Sequence, residues 1–420
     1  MISAEYPPQP GGIGDYTRRL AQALEERGQH AFVFTIADRR FQIIDLAAPS
    51  LHPHSPFSHR QSSWGWRIGR DVGAALEQIR PDILHIQYQT GAYGMHPAIN
   101  FLPWRLRRTP RRPAIVVTAH DLLPPYLFPK AGWLRQWVTR RLLADADAVV
   151  VTNQEDFSQV AWDWRLAIGD TGSIAKARSP ALIPIGSNIA VAPAPGYDRT
   201  LWRAQLQIGA DQTLLAYFGL ISRSKGLDTL LDALARLPER FRLLIVGGAA
   251  TAPEDRAFAE GIRQQIAGLG LKLRVTITGH CAEAEVSAHL LAADIAALPF
   301  ADGASFRRGS LLAALVHGLP VVTTTLATTD QGRKPNPDEP TRASLLAPRP
   351  SILRTLVDGE NVLLAPPGDA VALASAIERL ARDARLRERL GASGRALAAQ
   401  FGWDAIAARH EQLYQRLIQR

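Results

Sequence analysis

Apolar positions along the chain fall into two alternating patterns. Short runs such as Ile83–Ile86, Ile115–Thr118 and Ala148–Val151 read as buried strands, as do Ile2–Ala4, His30–Ile36 and Ala181–Gly186. Between them lie stretches with helical spacing. From Asp15, the residues Tyr16, Leu20, Ala23 and Leu24 share one face until Arg27–Gly28 ends the helix, and Val72–Ile79 and Trp133–Ala144 behave alike. The rhythm breaks at Pro193–Arg203 and restarts with strands at Thr213–Gly219, Phe241–Val246, Val275–Thr278, near Ala297 and at Val321–Val322. Helices are expected at Leu227–Leu237, Asp255–Leu269, Glu283–Ala292 and from Leu311, followed by a turn and strand at Asp358–Ala365. Asp369 and Asp383 cap two further helices, and Trp403–Ile418 reads as a last amphipathic one. Strands that alternate with helices imply parallel sheets covered on both faces. The fold class expected is therefore α/β, with two Rossmann-like domains and a ligand cleft between them. Boundaries are placed at 1–198, 199–400 and a C-terminal helix of 401–420 that packs back toward the first domain. Thr329–Pro350 has no periodicity and reads as a long polar loop.

Composition narrows this picture a little. A length of 420 residues with 46% hydrophobic and 21% charged positions fits a multidomain globular chain. No apolar run is long enough to span a bilayer, and the N-terminus lacks the flank and apolar core of a signal peptide. Cys281 is the single cysteine, so intrachain disulfides are excluded and a cytoplasmic location is the default expectation. The net charge of +9 rests mainly on arginines that fit solvated helix faces. Two denser clusters, Arg105–Arg112 and Arg135–Arg141 with Trp133 and Trp137, raise peripheral contact with anionic membrane at the inner face of the cell membrane as an alternative to a plain basic surface. No basic–aromatic repeat or reading helix points to nucleic acid.

In parallel sheets ligands gather at the carboxyl ends of strands. In the first half those ends offer His85, Gln87, Tyr88, His120, Asp121 and Asn153. His120 could hold a hydroxyl or anionic oxygen and exchange a proton, or could pack beneath its loop; His85 fits a satisfied core histidine as well as a site group. Gly11, Gly12 and Gly14 fall in a strand-to-helix loop, where bare backbone lets a ligand come close, although a tight turn would use them equally. In the second half Gly219, Arg223, Lys225 and Gly226 follow one strand, and Asp302, Arg307, Arg308, Gly309 and Ser310 precede the helix at Leu311. An ammonium, guanidinium forks and a helix N-terminus together make a site for a diphosphate. Lys225 also fits a solvated turn, and adjacent Arg307 and Arg308 should not both face the same ligand. No Cys/His motif with metal-ligand spacing stands out, so no metal site is expected.

These pieces, in their order, resemble the GT-B-fold retaining glycosyltransferases of family 4. The matching segments are PPQPGGIGDY (Pro7–Tyr16), DILHIQ (Asp82–Gln87), TAHD (Thr118–Asp121), the FG and SKG of Phe218–Gly226, LLIVGG (Leu243–Gly248), HGLPVV (His317–Val322) and NVLLAPPGD (Asn361–Asp369). The resemblance implies transfer of a sugar from a nucleotide diphosphate sugar to a hydroxyl acceptor, carbohydrate, lipid-linked or small, with no cofactor and no metal. It implies Gly12 and Gly14 over the donor phosphates, His120 beside the transferred sugar, Lys225 on the diphosphate, and Gly248, His280 and Cys281 near the nucleoside. The family's usual arginine after the strand-end glycine is here Leu220, with Arg223 as the expected substitute. Its paired glutamates would stand at Ser305 and Ala313, neither acidic, which leaves Asp302 as the nearest upstream carboxylate and a second expected catalytic residue. A sugar-nucleotide epimerase or phosphorylase, or a non-catalytic sugar-nucleotide-binding subunit, remains the alternative.

Overall fold

The computed structural model describes residues 1–9, 11–37, 40–47, 64–107, 109, 111–122, 132–154, 156–161, 179–248, 253–326 and 355–419. The polar stretch Thr329–Pro350 lies outside the described residues, as do the side chains of Trp133 and Arg135. The chain divides into two compact units, one formed by Met1–Asn188 with Phe401–Arg420 and the other by Ile189–Gln400.

The first unit is built on a seven-stranded sheet in the order β3-β2-β1-β4-β5-β6-β7. Its elements are β1 (Ile2–Ser3), α1 (Gly12–Glu25), β2 (Phe32–Ala37), β3 (Arg40–Asp45), α2 (Ile68–Ile79), β4 (Ile83–Tyr88), a 3-10 turn (Pro97–Phe101) running into α3 (Leu102–Leu106), β5 (Ala114–Ala119), α4 (Gly132–Asp145), β6 (Ala148–Val151) and β7 (Ala181–Leu182). All neighbours pair in parallel except β2 with β3, an antiparallel edge that the sequence reading missed. Alternation places side chains on two faces. Ile115, Val117 and Ala119 of β5 enter one core with Leu84, Ile86 and Tyr88, while Val116 between them packs on the other face with Tyr16, Leu20 and Leu24 of α1. A cavity of about 310 Å³ lies at the opposite, N-terminal ends of these strands, lined by Phe32, Leu76, Ile83 and Tyr414 among others.

The second unit carries an all-parallel six-stranded sheet in the order β10-β9-β8-β11-β12-β13. It contains α5 (Arg199–Gln205), β8 (Thr213–Phe218), a 3-10 turn (Arg223–Lys225), α6 (Leu227–Arg236), β9 (Phe241–Val246), α7 (Pro253–Gly268), β10 (Val275–Gly279), α8 (Glu283–Ala292), β11 (Ile295–Leu298), α9 (Gly309–Val316), β12 (Val321–Thr324), β13 (Leu363–Ala365), α10 (Ala370–Arg382) and α11 (Ala384–Ala398). The near-continuous apolar strands are explained by burial on both faces: Leu215 and Tyr217 of β8 pack into one core, Leu214 and Ala216 into the other. The same division separates Leu243 and Ile245 from Leu244 and Val246 in β9.

Both sheets reverse their strand order once, between β1 and β4 in the first unit and between β8 and β11 in the second. Loops diverge there to opposite faces and leave a crevice at the strand ends. The last helix, α12 (Trp403–Ile418), belongs to the first unit. Its Ile406, Ala407 and Tyr414 join the α1 core, and Arg27, in the turn after α1, pairs with Asp404 at 2.9 Å and Glu411 at 2.8 Å. The Trp403 indole donates to the Ser187 carbonyl at 2.7 Å and lies so close to Gly186 that a Cβ there would stand 2.7 Å from the ring.

Candidate functional site

The second unit gathers the cationic groups at its reversal point. β8 is followed by Gly219, whose φ of 131° suits glycine, and the chain then makes the Arg223–Lys225 turn. Gly226, at φ 65°, begins α6 directly against β11, where a Cβ would meet the Pro299 carbonyl oxygen at 1.9 Å. The Ala301 amide donates to the Ser224 carbonyl at 3.1 Å. Two loops seventy-odd positions apart in sequence are thus fastened backbone to backbone, and Lys225 is held between them.

Lys225 is half-buried, and its Nζ donates to Ser310 Oγ at 3.1 Å. Ser310 is buried in the first turn of α9, where backbone N–H groups have no partner within the helix. Beneath lies Phe300, fully buried, with Lys225 Nζ 5.7 Å and the Arg308 guanidinium 5.0 Å from its ring centre. Burial, and next the positive charge of Arg308, lower the Lys225 pKa to about 8, against a smaller opposing pull from Asp302. Two cations here face one carboxylate, Asp302, so a bound anion would be stabilised. Gly309 is exposed with open space where a side chain would stand.

The other expected donor residues are less uniform. Arg308 pairs closely with both carboxylate oxygens of Asp302, so the carboxylate expected to replace the missing glutamates is occupied by a neighbouring guanidinium. Arg307 is exposed. The Arg223 guanidinium lies 5.3 Å from the ring of Phe258 on α7. Ser305 is half-buried and Ala313 fully buried at the places of the family's glutamates. Gly248 and His280 stand together: a Cβ on Gly248 would be 3.8 Å from the His280 amide nitrogen, and Gly248 accepts from the Ile221 amide at 2.9 Å. His280 is exposed, and Cys281 Sγ lies 3.7 Å from the Gly279 carbonyl.

In the first unit one expectation is corrected. Gly12 and Gly14 do not lie in a loop but form the first turn of α1, with Gly11 ahead of it. Gly14 is buried, and a Cβ there would press to 3.1 Å on the backbone of Glu5 and Tyr6, whereas Gly12 faces open space. His120 follows β5 and shares a hydrogen bond of 3.0 Å with Gln87 Oε1, its ring edge-on to Tyr16. Since the amide oxygen can only accept, Nε2 carries the proton and Nδ1 keeps its lone pair. Burial, helped by His410, lowers the His120 pKa to about 3, so the ring is neutral. His85 is a core histidine: fully buried, it bonds Tyr414 Oη at 2.6 Å and Thr118 Oγ1 at 2.7 Å.

Sequence reading missed two features. Phe300 was visible only as the end of an apolar run, and its role as floor to two cations needed the fold. Cys281, Glu285 and His289, at helical spacing along and just before α8, have ligand atoms within 4.8 Å of one another. The hydrogen bonding of His289 does not suit a metal. His289 Nδ1 accepts the Trp202 indole N–H at 3.1 Å, which leaves the ring proton on Nε2, the atom 3.8 Å from Glu285.

Known proteins resemble this chain in both of its units. Residues 11–165 match the family described as "Glycosyl transferase 4-like domain", and residues 212–383 match "Glycosyl transferases group 1". A D-inositol 3-phosphate glycosyltransferase of Xylanimonas cellulosilytica is 26% identical over 100% of this chain and 97% of its own length. A GDP-mannose-dependent alpha-(1-6)-phosphatidylinositol monomannoside mannosyltransferase of Mycobacterium tuberculosis is 25% identical over 97% and 96%. Among solved structures, sucrose-phosphate synthase of Thermosynechococcus elongatus shares the fold with a TM-score of 0.65 at 24% identity, covering 100% of this chain and 98% of that one. With a 4-like domain on its first sheet and a group 1 domain on its second, the chain belongs to the GT-B glycosyltransferases of family 4.

Proposed function

We propose that this glycosyltransferase takes its sugar from a nucleotide diphosphate sugar and passes it, with retention at the anomeric carbon, to a hydroxyl acceptor. The observation that carries the reading is the Lys225 ammonium bound to Ser310 at the start of α9, with Arg308 beside it over Phe300. A diphosphate there would meet an ammonium, a guanidinium and helix N–H groups. As the glycosidic bond breaks, negative charge grows on the leaving diphosphate, and these donors stabilise it most at that moment. The pair Gly248 and His280 supports a nucleoside beside β9 and β10, read through backbone atoms. His120, neutral with Nδ1 unprotonated, is suited to accept a hydrogen bond from a sugar hydroxyl. The leaving diphosphate itself takes the acceptor's proton, so the step needs neither a protein nucleophile nor a metal ion. Names of the relatives favour an inositol-bearing acceptor, free or lipid-linked, and GDP-mannose as one donor to try first.

The test is turnover with a panel of UDP-, GDP-, ADP- and TDP-sugars and inositol phosphate or phosphatidylinositol acceptors, read as nucleoside diphosphate released and glycoside formed. His120→Ala should lower turnover about a hundredfold while changing donor affinity less than about threefold. Equal losses in both would remove His120 from the reacting centre. A second reading, binding of a sugar nucleotide without transfer, is favoured by Ser305 and Ala313 where the family has carboxylates. Saturable binding with no transfer to any acceptor would establish it.

A further inference from the structure

The first unit carries an aromatic and basic face around α2, α3 and α4. Trp66, Trp104 and Trp137 are 52%, 41% and 44% exposed, although side chains of this kind usually bury most of their surface. They stand on elements packed together: Trp66 just before α2, Trp104 on α3 and Trp137 on α4. Phe101 links two of them, its ring centre 5.7 Å from Trp66 and 6.1 Å from Trp137.

Arginines are interleaved with the indoles. The Arg105 guanidinium lies 5.5 Å from the Trp66 ring and donates to the Trp66 carbonyl at 2.7 Å. Arg141 lies 6.0 Å from the Trp104 ring. Arg67 and Arg70 at the start of α2, with Arg107 and Arg140, are exposed around them. The nearby carboxylates are already engaged. Asp71 stands 3.6 Å from Arg70, and buried Asp145 is shared by Arg107 at 2.9 Å and Arg141 at 2.6 Å.

We propose that this face docks on an anionic phospholipid bilayer, the indoles entering the headgroup layer and the guanidinium groups pairing with lipid phosphates. An indole has an apolar body and one polar tip, so the headgroup boundary suits it better than either water or hydrocarbon. Planar guanidinium forks match phosphate oxygens, and each basic group near a negatively charged leaflet adds attraction. The observations favour lipid over nucleic acid, because guanidinium groups already lie near two of the three ring systems that bases would need for stacking. They favour lipid over a protein partner because the indoles are spread among charges rather than joined in an apolar groove. Attachment would be peripheral, since no described helix is long and apolar enough to cross a membrane. The proposal is independent of the donor reading.

The full chain would be sedimented with vesicles of phosphatidylcholine alone or mixed equally with phosphatidylglycerol, and its tryptophan emission followed with brominated acyl chains. The expected result is binding to the anionic vesicles with quenched emission. It should weaken about tenfold or more in Arg67→Glu/Arg70→Glu, and similarly in Trp66→Ser/Trp104→Ser/Trp137→Ser. Circular dichroism and donor affinity serve as checks that both variants remain folded, since none of these residues belongs to the donor cluster. Three outcomes would overturn the proposal: equal binding to neutral vesicles, unchanged binding of both folded variants, or loss of vesicle binding to an equal mass of single-stranded DNA. Self-association abolished by the triple variant, without lipid binding, would assign the face to a second copy of the chain instead.

Discussion

Lys225 is held by contacts that a solvated turn lysine would not have. Its bond to Ser310, the ring of Phe300 beneath it and its lowered pKa of about 8 arise from one arrangement, in which two cations share a buried floor. Asp302 is different in kind. Its carboxylate is exposed and engaged by Arg308, and exposed pairs of this sort contribute only about 0–1 kcal/mol. Asp302→Asn is therefore expected to change nucleotide diphosphate affinity by less than about fivefold in a calorimetric titration. A hundredfold loss would instead make Asp302 a direct ligand of the substrate. The residue types were legible in the sequence, but this pairing was not, because a side chain six positions from an arginine can face it or turn away with equal ease in a loop.

The elements around the site depend on close backbone contact. Gly226 begins α6 at φ 65° with the Pro299 carbonyl where a Cβ would be, so the turn bearing Lys225 can approach β11 only through glycine. Gly226→Ala should lower unfolding stability by about 1–3 kcal/mol in denaturant titration and weaken donor binding with it. Retention of both would show that the two loops are not fastened in this way. Elements of this kind were legible where period and length agreed. The β8 run TLLAYF sends alternate residues into two cores, and α12 shows its face through Ile406, Ala407, His410 and Tyr414. The start of α1 was hidden because glycines read as breaks, yet Gly14 is needed there for the crowding of Glu5 and Tyr6. The antiparallel β3 was missed although Phe41 and Ile43 turn inward, since nothing in a six-residue segment announces the strand it will pair with.

At the scale of the whole chain, α12 is tied to the first sheet through buried neutral imidazoles. His85 bonds Tyr414, His410 bonds the Ile406 carbonyl, and the two rings lie 5.4 Å apart near His120. Burial lowers all three pKa values, to about 4 for His410 and about 3 for His120, from an unfolded value near 6.5. Because the unfolded chain binds these protons more readily, their contribution is present in full above about pH 6.5 and is lost as pH falls toward 4 and then 3. Thermal unfolding should accordingly show a midpoint that falls steadily below pH 6.5; a flat midpoint down to pH 4 would mean that the histidines are not buried as described. Whether the Lys225 cluster receives the donor diphosphate is decided by calorimetric titration of nucleotide diphosphate sugars into the wild-type chain and Lys225→Ala. Affinity should fall about ten- to a hundredfold in the variant, and in the wild type should weaken as pH rises through about 8 and the ammonium is lost. Equal affinity in the two proteins, with no dependence on pH in that range, would place the diphosphate away from Lys225.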